Sequence, residues 1–175
     1  MIRYATSEDG ELSADARAEL GALIVSNFPE THAELGTEVC VRWAQQAWRT
    51  VPVLFRVVAY VNGGAVAQQS VYRLHAPSGR VIFGLGDMVV AEAYRGRGIA
   101  RTLVSAALAE AGRRGAEIYC TRTAKLAGLF AELGFCRDAE ARRFTDEHGL
   151  AVGDLWVWPG EWPAIPAEVL SPADF

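Results

Sequence analysis

The sequence predicts a single α/β (α+β) domain: a mixed, mostly antiparallel central sheet of about six to seven strands flanked by about four helices. Three observations lead there. The chain has 175 residues, 51% hydrophobic and 22% charged, the size and composition of one globular domain and not of a disordered, collagen-like or coiled-coil chain. Its apolar spacing is helical up to about Trp48 and strand-like from Val51, and that change of period separates a helical layer from a sheet. Over 81–114 a strand, a glycine-containing loop and a helix then follow one another. The domain takes in all of 1–175, with a core over about 1–145 and an acidic, aromatic strand and tail over 146–175.

Ile2–Ala5 is the opening strand. Ser13 then offers an N-cap to a helix whose Ala16, Leu20, Leu23 and Ile24 share one face, and Pro29 ends it. Thr31-His32-Ala33-Glu34 has the form of a capping box, and Leu35, Val39, Trp43 and Ala47 carry a second amphipathic helix to about Trp48. Pro52–Val61 and Ala65–Leu74 are rich in Val and Tyr around Asn62-Gly63-Gly64, which reads as a β-hairpin. A second turn at His75–Arg80 leads into a strand at Val81–Ala91. Leu103, Val104, Ala107, Leu108 and Ala111 mark the next helix, closed between Gly112 and Gly115. Ala116–Thr121 is a strand, Thr123–Leu133 a helix with Gly134 as its C-cap, Phe135–Phe144 a strand, and Ala151–Trp158 the last strand.

The formal charge is −4, which argues against a nucleic-acid partner, since such proteins neutralise phosphates with a cationic surplus. Residues 145–175 hold six acids and no Lys or Arg, so residues 1–144 carry 17 cations against 15 acids. The three cysteines, Cys40, Cys120 and Cys136, have no CxxC spacing and read as buried thiols of a reducing compartment. The N-terminus lacks a signal-peptide pattern, and the apolar run near 51–61 is broken by Arg56, short of the ~20 residues of a membrane helix. The expectation is a cytoplasmic protein without membrane contact. His32, His75 and His148 are scattered, so no metal is expected.

Tyr94-Arg95-Gly96-Arg97-Gly98-Ile99-Ala100 joins the strand to the helix of 81–114. First-turn amides without internal partners, together with the helix dipole, make such a junction an anion site. Gly96 and Gly98 let backbone approach a phosphate, and Arg95 and Arg97 add charge. It is not a P-loop, which needs GxxxxGK[ST]. A dinucleotide fingerprint also fails, because Arg101 stands where GxGxxG has its last glycine and hairpins precede it.

Arg95–Ala100 does fit Q/R-x-x-G-x-G/A, with Asp87-Met88-Val89-Val90 upstream and Leu129-Phe130-Ala131-Glu132-Leu133-Gly134-Phe135 downstream. In these three ordered segments the chain resembles the GNAT family of N-acetyltransferases over roughly 1–145. The resemblance implies a sheet that splays between its fourth and fifth strands, with acetyl-CoA as co-substrate in the gap. Backbone amides of Arg95, Gly96, Arg97, Gly98, Ile99 and Ala100 would hold the pyrophosphate. Backbone groups of Met88, Val89 and Val90 would pair with the pantetheine arm and the thioester oxygen, where an oriented amide stabilises an oxyanion.

Acyl transfer to an amine needs a base. Asp87 in the central strand is the first candidate and Glu92 at its end the second, with surface carboxylates as the bland alternative for both. The family's tyrosine aligns with Phe130, which has no proton to give, and its asparagine aligns with Thr123; both positions face the coenzyme in the family. Tyr119 and Cys120 are substitutes for the missing acid unless they are core. Trp156, Trp158, Trp162 and Phe175, interleaved with acids, would suit a cationic amine such as a polyamine or amino sugar; alternatively Trp156 and Trp158 form the last strand and the core of a homodimer while the acids are solvated. The expected activity is acetyl transfer to a primary amine of a small cationic or amino-sugar-like acceptor. The alternatives are a non-catalytic acyl-CoA-binding module and an acyltransferase using a longer acyl-CoA.

Overall fold

The computed structural model describes residues 1–27, 53–75, 81–123, 125–137, 143–145 and 151–158. Eight strands lie in one sheet: β1 (Arg3–Glu8), β2 (Val53–Val61), β3 (Gly64–His75), β4 (Val81–Val90), β5 (Ile118–Thr123), β6 (Cys136–Arg137), β7 (Arg143–Thr145) and β8 (Ala151–Trp158). Their order is β1-β2-β3-β4-β5-β8-β6, and β7 also pairs with β8. Among the described residues β4 and β5 run parallel and the other pairs antiparallel. The α-helices among the described residues are α1 (Ala14–Asn27), α2 (Ile99–Arg113) and α3 (Ala127–Glu132). No described helix is long and apolar enough to cross a membrane.

Local chemistry sets the boundaries. Ala16 N–H donates to Ser13 Oγ at 3.1 Å, the expected cap of α1. Asn62 and Gly63 both have positive φ, 52° and 88°, the turn whose twist matches the paired strands, with Val61 opposite Gly64. One face of the sheet carries Phe55, Val57, Val71, Phe83 and Leu85 against Leu103, Val104, Ala107 and Ala111 of α2. The opposite face receives Leu23 and Ile24 of α1 against Val89.

Arg56 stands between Phe55 and Val57 and therefore points away from α2. Only 2% of it is exposed. Its Nε donates to Asp9 Oδ1 at 2.7 Å, and its Nη1 donates to Gln68 Oε1 at 3.1 Å and Ser70 Oγ at 3.0 Å. Asp9 also accepts from Arg17 Nη1 of α1 at 2.8 Å. This network joins β2, β3, the turn after β1 and the first turns of α1. The residue that interrupts an apolar run in the sequence is thus a buried, paired cation.

Three expectations change. The opening strand is longer, because Thr6–Glu8 also pair with β2, Glu8 opposite Phe55. The strand expected over Phe135–Phe144 is two short ladders, β6 and β7, on one edge of β8. Between Arg137 and Arg143 six positions pass while β8 moves only from Trp156 to Asp154, so the two ladders cannot belong to one continuous register. The helix expected from Thr123 starts at Ala127; Arg122 and Thr123 instead continue β5 beyond Thr121 by pairing with Leu155 and Asp154. The expected capping box at Thr31, the helix to Trp48, and most of the turn at 75–80 and of the tail lie outside the described residues.

Removing Asp9 strands a buried guanidinium, so Asp9→Ala is expected to cost about 3 kcal/mol in urea unfolding. Arg17→Ala removes a partner that is 32% exposed and is expected to cost under about 1 kcal/mol; equal losses would contradict the assignment. Gly86→Ala places a Cβ 2.9 Å from Tyr72 Cε2, and overpacking of this kind is expected to lower stability by about 1–3 kcal/mol in the same assay.

Candidate active site

β4 has two neighbours for only half its length. Ile82 to Leu85 pair with Ile118 to Thr121 of β5, and the parallel ladder stops there. At the fork Thr121 Oγ1 donates to the Leu85 carbonyl at 3.0 Å, so a side chain satisfies the last acceptor. Beyond it β4 stays on β3, with Val89 opposite Gln68 and Val90 opposite Ala67. Ala91 N–H donates to Val66 C=O at 2.9 Å. Since strand groups alternate in direction, the backbone N–H and C=O of Met88 and Val90 turn to the edge that β5 has left.

A bulge adjusts this edge. Ser70 pairs with Gly86 and Gln68 with Val89, so Asp87 and Met88 together oppose Gln69. Asp87 takes φ 49°, a left-handed conformation that costs a non-glycine residue on the order of 1 kcal/mol. The extra residue reverses the alternation: Phe83 and Leu85 lie in the α2-side cluster, and after the bulge Met88 and Val90 do, while Val89 meets α1. Gln69 Nε2 clamps the bulge by donating to the Gly86 carbonyl at 2.7 Å and the Ser70 carbonyl at 3.0 Å. Tyr72 donates its hydroxyl proton to Asp87 Oδ2. Neither Gln69 nor Tyr72 is among the residues that the sequence pattern singles out.

The strand ends in a short turn, Glu92–Tyr94, and the glycine loop follows. Gly96 and Gly98 have φ 73° and 75°, and among the described residues a Cβ at either would meet nothing within 4 Å. The glycines thus supply left-handed backbone beside open space. Gly98 is the N-cap of α2 and brings no side chain to its amides; the first bond back to it is Thr102 N–H to Gly98 C=O at 3.1 Å. Ile99 is buried and anchors the helix start, with Ala100 half-buried beside it. Arg95 Nε donates to the Val90 carbonyl at 3.0 Å and its Nη2 to Asn27 Oδ1 at 3.1 Å. Arg97 lies 5.4 Å from the Tyr94 ring centroid and donates to the Ala93 carbonyl at 3.1 Å. Oriented amides, two nearby guanidinium groups and open space fit a diphosphate.

Other expected residues lie in the turn after β4, at the end of β5 and in the core. The Glu92 side chain is exposed. Phe130 is 2% exposed and meets Phe135 edge-on, with centroids 5.0 Å apart, inside the α2-side core. Thr123 is the last residue of β5, opposite Asp154. Tyr119 is core: its hydroxyl donates to the Leu108 carbonyl at 3.3 Å, and burial pushes its phenol pKa up. Trp156 packs on the same core; Trp162 and Phe175 lie outside the described residues.

Residues 54–137 match the family model described as an acetyltransferase (GNAT) domain. No curated protein matches the sequence. Among solved structures, a GNAT family acetyltransferase from Brucella melitensis in complex with acetyl-CoA superposes with a TM-score of 0.63 at 16% identity, covering 94% of each chain. A GNAT family N-acetyltransferase from Escherichia coli in complex with CoA gives 0.62 at 22% identity, covering 90% of this chain and 81% of that one. An aminoglycoside acetyltransferase from an uncultured soil metagenomic sample gives 0.63 at 19% identity, covering 83% of this chain and 97% of that one. Residues 54–137, which hold the parted strands and the glycine loop, are therefore a GNAT acetyltransferase domain, and the sheet and helices around them have that family's fold.

Proposed function

We propose that the protein is an acetyl-CoA-dependent N-acetyltransferase acting on the primary amine of a small cationic or amino-sugar-like acceptor. One observation carries the reading: the β4 edge freed over Met88–Val90 runs directly into the open glycine loop at the head of α2. A row of amide donors and acceptors followed by an anion site has the sequence of groups found in pantetheine and its diphosphate. Support comes from the GNAT domain match and from structural neighbours crystallised with acetyl-CoA and with CoA. The aminoglycoside acetyltransferase among the neighbours supports an amino-sugar acceptor.

In this reading the amides of Arg95–Ala100 hold the diphosphate, and the backbone of Met88 and Val90 aligns the pantetheine arm and the thioester oxygen. Binding there requires Arg95 to give up the Val90 carbonyl. Asp87 takes the proton that the acceptor nitrogen sheds as its bond to the acetyl carbon forms and the carbon–sulfur bond breaks. That proton ends on the thiol, so the products are an amide and CoA. Glu92 is the second candidate base. The partner is a small molecule, in the cytoplasm, without nucleic acid or membrane, and a homodimer remains part of the proposal. A second reading, a module that binds acyl-CoA without catalysis, is favoured by Phe130 in place of a tyrosine and by the engagement of the Tyr119 hydroxyl with Leu108. An acyltransferase preferring a longer acyl chain is separated from both by comparing acetyl-, butyryl- and longer acyl-CoA.

Calorimetric titration with acetyl-CoA and CoA is expected to show micromolar binding that Gly98→Glu abolishes, because glutamate is strained at φ 75° and sets a carboxylate at the anion site. A folded wild type that binds neither ligand defeats the reading. In an amine screen led by aminoglycosides and polyamines, Asp87→Asn is expected to lose at least about 100-fold in turnover while keeping its affinity for acetyl-CoA. Unchanged turnover would remove Asp87 from the chemistry.

A further inference from the structure

We propose that Tyr72 is a positioning residue for the acyl transfer: its hydroxyl fixes the Asp87 carboxylate at the bulge, where the acceptor amine loses its proton. The proposal rests on the acyltransferase reading and adds a residue to it from a different strand.

Three features of the structure converge on this pair. Asp87 is one of two non-glycine residues with positive φ among the described residues; the other, Asn62, belongs to a two-residue hairpin turn that requires it. Asp87 lies within an inner strand, where the left-handed backbone has no turn to make, and strain of this kind is retained when surrounding contacts hold it. The second feature is Tyr72, which is 0% exposed and donates its hydroxyl proton to Asp87 Oδ2. The third is the room made for the ring. Tyr72 pairs with Gly84, and Ser70 with Gly86, so two glycines lie on its face of β4. A Cβ on Gly86 would come within 2.9 Å of Tyr72 Cε2.

The packing therefore reaches the carboxylate through a rigid path. The Gly86 carbonyl is clamped by Gln69, the aromatic ring lies across Gly86, and the hydroxyl at the end of the ring meets Asp87. A phenol has few rotatable bonds and, when buried, little freedom to move its oxygen. A carboxylate on its own can turn about two side-chain bonds, whereas proton transfer demands an approach of about 2.6–3.2 Å to the donor nitrogen. Holding one carboxylate oxygen by a fixed donor restricts that search before the acceptor arrives. The proton lost by the nitrogen is still taken by Asp87; Tyr72 keeps its own proton throughout.

Tyr72→Phe keeps the ring over Gly86 and deletes only the hydroxyl. With acetyl-CoA and an amine that the wild type acetylates, kcat is expected to fall by about 10- to 100-fold, while the calorimetric affinity for acetyl-CoA stays within about twofold. Combining Tyr72→Phe with Asp87→Asn is expected to be no slower than Asp87→Asn alone, since the tyrosine acts through the carboxylate. A Tyr72→Phe enzyme with wild-type kcat, a weakened affinity that explains the loss, or losses that multiply in the double variant would each overturn the proposal and leave the acyltransferase reading intact. A wild type that binds acetyl-CoA but acetylates no amine overturns the proposal and favours the binding module. A wild type that does not bind acetyl-CoA removes both.

Discussion

A strand inside a sheet satisfies its backbone on both edges only while both neighbours run beside it, and β4 loses one of them after Leu85. Much of the site follows from this. The last shared carbonyl is met by the Thr121 hydroxyl, and the groups beyond it must find a side chain, water or a ligand. Arg95 takes the Val90 carbonyl, a contact from an exposed side chain that gives way more easily than a neighbouring strand would. The bulge at Asp87–Met88 then decides which side chains line the opened edge and which meet α1. A sheet that kept β4 and β5 together would have a continuous core and no such edge.

The opposite face is organised by charge. Arg56, Asp9 and Arg17 tie β2, the turn after β1 and α1 to one another, with Gln68 and Ser70 on β3 accepting from the same guanidinium. Gln68 is also the residue opposite Val89, so the network touches the strand pair that carries the bulge. A buried ion pair of this sort adds little net stability over a well-packed apolar substitute. What it does supply is direction: the guanidinium has donors at fixed angles, and Asp9, Gln68 and Ser70 meet them from the turn after β1 and from β3.

The sequence made the glycine loop and the first hairpin legible because their signals are local. Gly96 and Gly98 followed by an apolar-periodic helix specify a loop and a helix start within a few residues, and Asn62-Gly63 specify the hairpin in the same way. Ser13 at the head of α1 behaves as its residue type predicts. The bulge was not legible, because it depends on the register between β3 and β4, which alternation alone leaves open. Gly84 and Gly86, on alternate positions of a central strand just before Asp87, were the available clue, since glycine inside a strand marks a bulge or a close approach. The burial of Arg56 was not legible either, because its carboxylate partner, Asp9, is distant in sequence. Thr123 departs from the helical reading because pairing with β8, a strand much later in the chain, overrides local preference, and the Phe135–Phe144 segment carries no local sign that its two ladders meet β8 in different registers.

β8 lies between β5 and β6, although it is the last described strand along the chain. During synthesis β1 to β4 and α2 can assemble as soon as they emerge, since their partners are already present. β5 is different: its outer edge has no neighbour until residues 151–158 leave the ribosome. For that interval the nascent chain exposes a bare strand edge, the kind of surface that pairs with other chains. A translational pause after α3 would prolong the hazard, whereas rapid elongation through the tail would shorten it.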